Sequence, residues 1–163
     1  MARRRQGLLV AIEGLIGVGK STVCDVLKQR PSLTWVPTVD DCFEDARQTI
    51  DQLDPASKSA LLARYHLFLS AMYHCSLQVQ SALKEHRIVL VESYVYRAVA
   101  FHCAMGARWR PSFDSFRMPD VTFLITASES VRQDRIHCRG KHRTAWHRFA
   151  EMHWRKSERY YKS

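Results

Sequence analysis

Asparagine is absent from all 163 residues of the chain. An Asn-Lys-x-Asp guanine reader therefore cannot exist, and there is no Asp-x-x-Gly either. Both absences count against a GTP-driven switch. Apolar runs are short, and none approaches the ~20 residues of a membrane-crossing helix. The basic start, Met1 to Gln6, leads into an apolar run that stops at Glu13. That run is too short for a signal peptide, and its residues are needed as a first strand. The expectation is an intracellular, cytoplasmic protein with no membrane partner. Cys-x-x-Cys is missing too. The five cysteines (Cys24, Cys42, Cys75, Cys103, Cys138) are odd in number and scattered. They read as reduced thiols rather than a disulfide framework. Internal repeats and low-complexity segments are also lacking.

What is present is ordinary in bulk. Hydrophobic residues make 46% and charged residues 25% of the chain, the balance of a globular protein. The length suits a single domain, residues 1–163, with its own core. A formal charge of +9 favours an anionic partner, either a nucleoside triphosphate or a nucleic acid. Nucleic acid is the weaker reading. The aromatic residues fall mostly at core-like helical positions, and a base-stacking platform would interleave them with Lys and Arg.

One stretch organises the rest. Gly14-Leu15-Ile16-Gly17-Val18-Gly19-Lys20-Ser21-Thr22 fits G-x-x-x-x-G-K-[ST], a phosphate-cradling loop. The apolar run Leu8 to Ile12 before it reads as a buried strand. Ser21 to Arg30 after it reads as a helix, with Val23, Val26 and Leu27 on one face and Pro31 as the stop. Glycines let backbone N–H groups approach a polyphosphate without a Cβ in the way. The helix N-terminus adds roughly half a positive charge. Lys20 is expected to reach the outer phosphates and the Ser21 hydroxyl to bind Mg²⁺. Gly14, Gly17, Val18, Gly19, Lys20, Ser21 and Thr22 form the expected cofactor site for ATP.

Further along, Leu33 to Thr38 reads as an edge strand weakened by Pro37. Asp40 to Leu53 reads as a helix. Asp54-Pro55 is expected to start a long helix running to about Glu85. Leu61, Tyr65, Phe68, Met72, Cys75, Val79 and Ala82 alternate steps of four and three, an apolar stripe that suits a core or a dimer seam. His66 and His74 on this helix read as structural or exposed, not as metal ligands. Ile88 to Val91 reads as a strand tipped by Glu92, then Ser93 to Met105 as a helix. Val121 to Thr126 is a fourth strand, Ser128 to Cys138 a helix, and Ala145 to Tyr161 a last helix. Strands alternating with helices imply an α/β fold, a parallel sheet covered on both faces in three layers. Gly14 and Glu92 then share the carboxyl end of the sheet, where ligands bind.

These features resemble the thymidylate kinase and deoxynucleoside kinase superfamily, with its P-loop NTPase-like fold, over nearly the whole chain. Glu92 to Phe101 is similar to the thymidylate kinase segment D-R-Y-x-x-S-x-x-A-[YF]. Pro119 to Leu124 resembles that family's P-D-x-x-x-x-L. Arg135-Ile136-His137-Cys138-Arg139-Gly140-Lys141 is similar to the deoxynucleoside kinase lid R-I-x-x-R-x-R. The resemblance implies a basic lid at about 135–144. Arg135 and Arg139, four apart on one helix face, would stabilise the transferring phosphoryl group, with Lys141 on the loop beyond. Glu92 would bind the metal or act as base.

The chain also departs from the families. Ser93 stands where both place an arginine, and Arg97 lies one turn further as its expected substitute. No arginine falls between Arg64 and Arg87, and Ala71 and Met72 occupy the matching region. Leu15 and Ile16 replace the Asn or Asp often found in the loop. The nearest acids to the deoxynucleoside kinase base are Asp40 and Asp41. The families' last strand is missing from the sequence. The resulting expectation is an ATP- and Mg²⁺-dependent phosphotransferase acting on a nucleoside or nucleoside monophosphate. Asp40, Asp41 and Arg97 are its acceptor-side residues, and a homodimer is possible. The alternatives are a kinase for a non-nucleoside small molecule, or a non-catalytic relic that binds nucleotide or nucleic acid.

Overall fold

The computed structural model describes residues 7–138 and 144–153. Four strands make one parallel sheet: β1 (Leu8–Glu13), β2 (Thr34–Trp35), β3 (Ile88–Glu92) and β4 (Val121–Leu124), in the spatial order β2-β3-β1-β4. Six α-helices complete the described fold: α1 (Lys20–Lys28), α2 (Glu44–Asp51), α3 (Lys58–Glu85), α4 (Val95–Ala104), α5 (Glu129–Cys138) and α6 (Ala145–Met152). None of the described helices is long and apolar enough to cross a membrane.

Alternation along the strands builds the layers. Side chains of a strand point alternately to opposite faces. Leu9, Ala11, Val89 and Val91 face α3 and α4, in one core with Tyr65, Met72 and Val99. Val10, Ile12 and Leu90 face the other way, against Cys24 and Leu27 of α1. The expected three-layer arrangement is therefore present. Among the described residues nothing continues the sheet past β4. The Pro119-Asp120 motif has a structural role here. Asp120 Oδ2 accepts from the Leu9 amide at 2.7 Å, and the Asp120 amide donates to the Leu9 carbonyl at 2.9 Å. Arg117 holds the same carboxylate at 2.6 Å. The aspartate thus sets the register of β4 on β1.

Several local expectations change. In α1 the inward residues are Lys20, Cys24 and Leu27, spaced for one helical face, while Val23 and Val26 are exposed. The loop aims Lys20 inward, and that fixes the rotation of the helix. Residues Asp41–Phe43 form a 3₁₀ turn before α2. Helix α3 begins at Lys58 and not at Pro55: its cap is Ser57, whose hydroxyl accepts from the Ala60 amide at 3.4 Å. Asp54 instead closes the preceding turn onto the Ala56 amide at 2.9 Å. The apolar stripe of α3 is as expected and lies in the chain's own core, Phe68 and Ala82 at its margin. Helix α6 docks through Trp146, fully buried against Leu61, Phe101 and Met105, with its indole N–H donating to the Ile50 carbonyl at 3.3 Å.

The cap can be checked directly. Ser57→Ala should lower stability by about 1 kcal/mol in urea unfolding, because one helix amide loses its acceptor. Ser57→Asp, which keeps an acceptor, should stay near wild type.

Candidate active site

The loop between β1 and α1 has the geometry its glycines permit. Gly14 has φ +144°, and a Cβ there would meet the Ile125 carbonyl oxygen at 2.4 Å. Gly17 has φ +82°, and a Cβ there would lie 2.9 Å from the Arg132 carbonyl oxygen. Both positions combine a left-handed backbone with a close neighbour, which only glycine accommodates. Val18 is buried, Gly19 immediately precedes α1, and Thr22 is exposed on its first turn. Helix α5 lies against the loop. Arg132 donates from Nε to the Ile16 carbonyl at 3.0 Å, and Arg135 from Nη1 to the Val18 carbonyl at 2.9 Å. The resemblance points to Arg135 and Arg139, and not to the buried Arg132. Its signal is the three-residue spacing to Arg135, which puts both on one face. Arg139 and Lys141 lie outside the described residues.

Two carboxylates meet Lys20 and Ser21. Parallel pairing sets Ile12 of β1 opposite Glu92 of β3, so the two strand ends are level. The Ser21 hydroxyl donates to Glu92 Oε1 at 2.8 Å, and the Thr38 hydroxyl donates to the Glu92 carbonyl. Glu13 was not singled out in the sequence, yet it is 1% exposed and accepts from the Tyr94 amide at 2.9 Å. Burial pushes its carboxyl up to about 7, with the charges of Arg97 and Lys20 pulling the other way. Lys20 is also buried and donates to the Leu15 carbonyl at 3.0 Å. Burial, then repulsion from Arg97, lowers its ammonium to about 8. The hydroxyl of Ser21 and the carboxylate of Glu92 are hard oxygen donors, a set that fits Mg²⁺.

Beside Glu92 opens a cavity of about 500 Å³, lined by Arg47, Arg64, Arg97, Phe68, Phe101 and Thr38 among others. Arg97 is there as expected, but not through helix spacing from Ser93. Ser93 precedes α4, with φ +58°, and its amide donates to the Ile12 carbonyl at 2.9 Å. The guanidinium of Arg97 lies 4.4 Å from the Phe101 ring centre. Arg47 pairs with Glu44 at 2.6 Å. Arg64 is buried, donates to Asp51 at 3.0 Å, and sits over the rings of Phe68 and Trp146 at 4.4 and 5.0 Å. His102 Nε2 is 3.1 Å from Arg64 Nη1, and its Nδ1 is 2.7 Å from the Ala98 carbonyl oxygen. Arginine can only donate, so Nε2 accepts and the proton is on Nδ1. Burial and the Arg64 charge push the His102 pKa down to about 3, so the ring is neutral. Asp40 and Asp41 are not in the cavity wall. Asp40 accepts from Gln78 at 2.5 Å, and that hydrogen bond holds its carboxyl below the usual range. Asp41 is exposed at the start of the 3₁₀ turn.

The family model described as thymidylate kinase matches residues 12–162. The chain belongs to the thymidylate kinase family. It is 25% identical over 137 residues to the thymidylate kinase of African swine fever virus (isolate Pig/Kenya/KEN-50/1950), a match covering 81% of this chain and 57% of the viral protein. It is 24% identical over 158 residues to the thymidylate kinase of Mycoplasma pneumoniae, covering 84% of this chain and 71% of that protein. The structure of Candida albicans thymidylate kinase superposes with a TM-score of 0.71 at 16% identity, over 96% of this chain and 77% of that one. That likeness concerns the fold.

Arg64 alters the comparison with the family. The sequence holds no arginine between Arg64 and Arg87. The structure brings Arg64 itself to the cavity from α3, one turn before Phe68. The signal was an arginine on an otherwise apolar helix face.

The titration of Glu13 gives a test. Between the ordinary 4.5 and about 7, the folded protein holds a proton that the unfolded chain has lost, so stability falls as pH rises. Glu13→Gln can still accept from Tyr94 and does not ionise. Its melting temperature should lose that decline, with the largest gain over wild type above pH 7.

Proposed function

We propose that this thymidylate kinase family member transfers the γ-phosphoryl group of ATP to a nucleoside monophosphate, with thymidylate as the acceptor its relatives' names favour. One observation carries the choice of acceptor: Arg47, Arg64 and Arg97 line a single cavity beside Glu92. A neutral nucleoside has no use for three guanidinium groups, whereas a phosphate dianion does, since arginine forks match phosphate oxygens. Phe68 and Phe101 supply apolar faces for sugar and base.

On this reading the loop amides and Lys20 hold the donor phosphates. Arg135 on α5 reaches the loop where charge develops during transfer, and Arg139 and Lys141 extend the same basic segment. Ser21 and Glu92 would hold Mg²⁺, which supplies charge neutralisation on the donor phosphates. Arg97 lies between the two halves, its charge felt by both Glu13 and Lys20, so it suits the acceptor phosphate next to the transferring group. Catalysis of this kind is mostly positioning and charge stabilisation. Asp40 and Asp41 do not line the cavity, and this reading gives them no role.

The test compares acceptors. With ATP and Mg²⁺, thymidylate should be phosphorylated far faster than thymidine, and equal use of the two would overturn the reading. Arg97→Ala should raise the thymidylate KM by about 10- to 100-fold, the value of a charge-assisted hydrogen bond of about 1.5–3 kcal/mol. The KM for ATP should change little. Lys20→Ala should abolish transfer to either acceptor.

A further inference from the structure

A second group of reactive side chains meets on the far side of the segment that follows β2. Asp40, Cys42 and His74 bring a carboxylate oxygen, a thiol sulfur and an imidazole nitrogen all within 4.8 Å of one another. The Nδ1 atom of His74 is buried and makes no hydrogen bond. It lies 3.8 Å from Asp40 Oδ2, too far for one. Ligands held at about 2.0–2.3 Å around a tetrahedral ion are roughly 3.3–3.8 Å apart. The histidine and aspartate, 3.8 Å apart, are within a few tenths of an ångström of the roughly 3.3–3.6 Å that nitrogen and oxygen ligands of one tetrahedral ion span.

The surroundings support this. Gln78, one turn after His74 on α3, donates to Asp40 Oδ2 at 2.5 Å. An outer hydrogen bond of this kind orients a ligating carboxylate. The Phe43 ring lies 5.7 Å from the His74 ring and covers one side of it. Cys42 is exposed, so an ion can enter from solvent.

We propose that Asp40, Cys42 and His74 bind a zinc-class divalent transition-metal ion, with a solvent molecule as fourth ligand. A sulfur, nitrogen and oxygen donor set suits a borderline-soft ion and not Mg²⁺, which takes oxygen ligands. The site is therefore chemically distinct from the Ser21–Glu92 pair and does not depend on the kinase reading. Binding forms the metal–sulfur bond and releases the Cys42 thiol proton to solvent, so affinity rises with pH. The ion would tie the segment after β2 to α3. Thr38 and Val39, just before Asp40, line the arginine cavity, so the tie would also fix one wall of it.

Cobalt is the probe. The full chain, reduced, without nucleotide or histidine tag, is titrated with Co²⁺ and followed by absorption. Wild type should show a thiolate-to-cobalt charge-transfer band and tetrahedral d–d bands, erased by Zn²⁺ and unaffected by Mg²⁺. Cys42→Ser should lose the charge-transfer band, and His74→Ala should weaken binding by roughly ten-fold or more. Cys138→Ser, at the other exposed cysteine, should behave as wild type. Zn²⁺ should raise the melting temperature of wild type and not that of Cys42→Ser. Absence of the bands in wild type, or their persistence in Cys42→Ser or His74→Ala, overturns the proposal.

Discussion

Burying the carboxylate of Glu13 is the constraint from which the layout of the site follows. A carboxylate in the interior needs hydrogen bonds and opposite charge close by, because water is no longer there to solvate it. The Tyr94 amide supplies the hydrogen bond, and Lys20 and Arg97 supply the charge. Those partners belong to the two functional halves of the molecule. Lys20 belongs to the phosphate loop and Arg97 to the arginine cavity, so one acid at the end of β1 spaces both. The left-handed Ser93 is part of the same arrangement. A helix starting directly at Ser93 would continue the chain along a different path from Glu92. The turn at Ser93 instead delivers the Tyr94 amide to Glu13.

The arginine cavity follows a similar rule. Like charges gathered in one place repel, and burial strengthens the repulsion. Arg64 is therefore held between Asp51 and a histidine kept neutral, with aromatic faces on its flat sides. Trp146 makes α6 a participant, since it covers Arg64 from a part of the chain remote in sequence. Glu44 does a lighter version of the same work for Arg47 at the surface. Arg64 and Arg47 are thus held in place by the protein's own groups, which would reduce the ordering cost of binding an anion there.

Much of this was legible in the residues. The loop from Gly14 to Thr22 announces itself because its chemistry demands a fixed pattern in adjacent positions. The α3 stripe shows because burial repeats with the helix period. Local rules sufficed for both. They failed where the deciding partner is distant. Glu13 reads as the polar end of a strand until Lys20, Tyr94 and Arg97 are seen around it. Arg64 reads as a helix-surface cation until Asp51 and His102 enclose it. Val23 and Val26 looked inward-facing from periodicity alone, but the direction of Lys20 rotates α1 the other way. Asp40 follows β2 closely in sequence, and its hydrogen bond from Gln78 on α3 comes only with the tertiary structure.

Strand β4 has a practical consequence. Val121, Phe123 and Leu124 are all exposed, on a strand paired to β1 along one side. Among the described residues no strand lies on its outer side, and an apolar edge of this kind is an invitation to other chains. Concentrated solutions of this polypeptide should clump through that margin. Placing a lysine at position 123, whose side chain is exposed, is the simplest way to keep it dispersed.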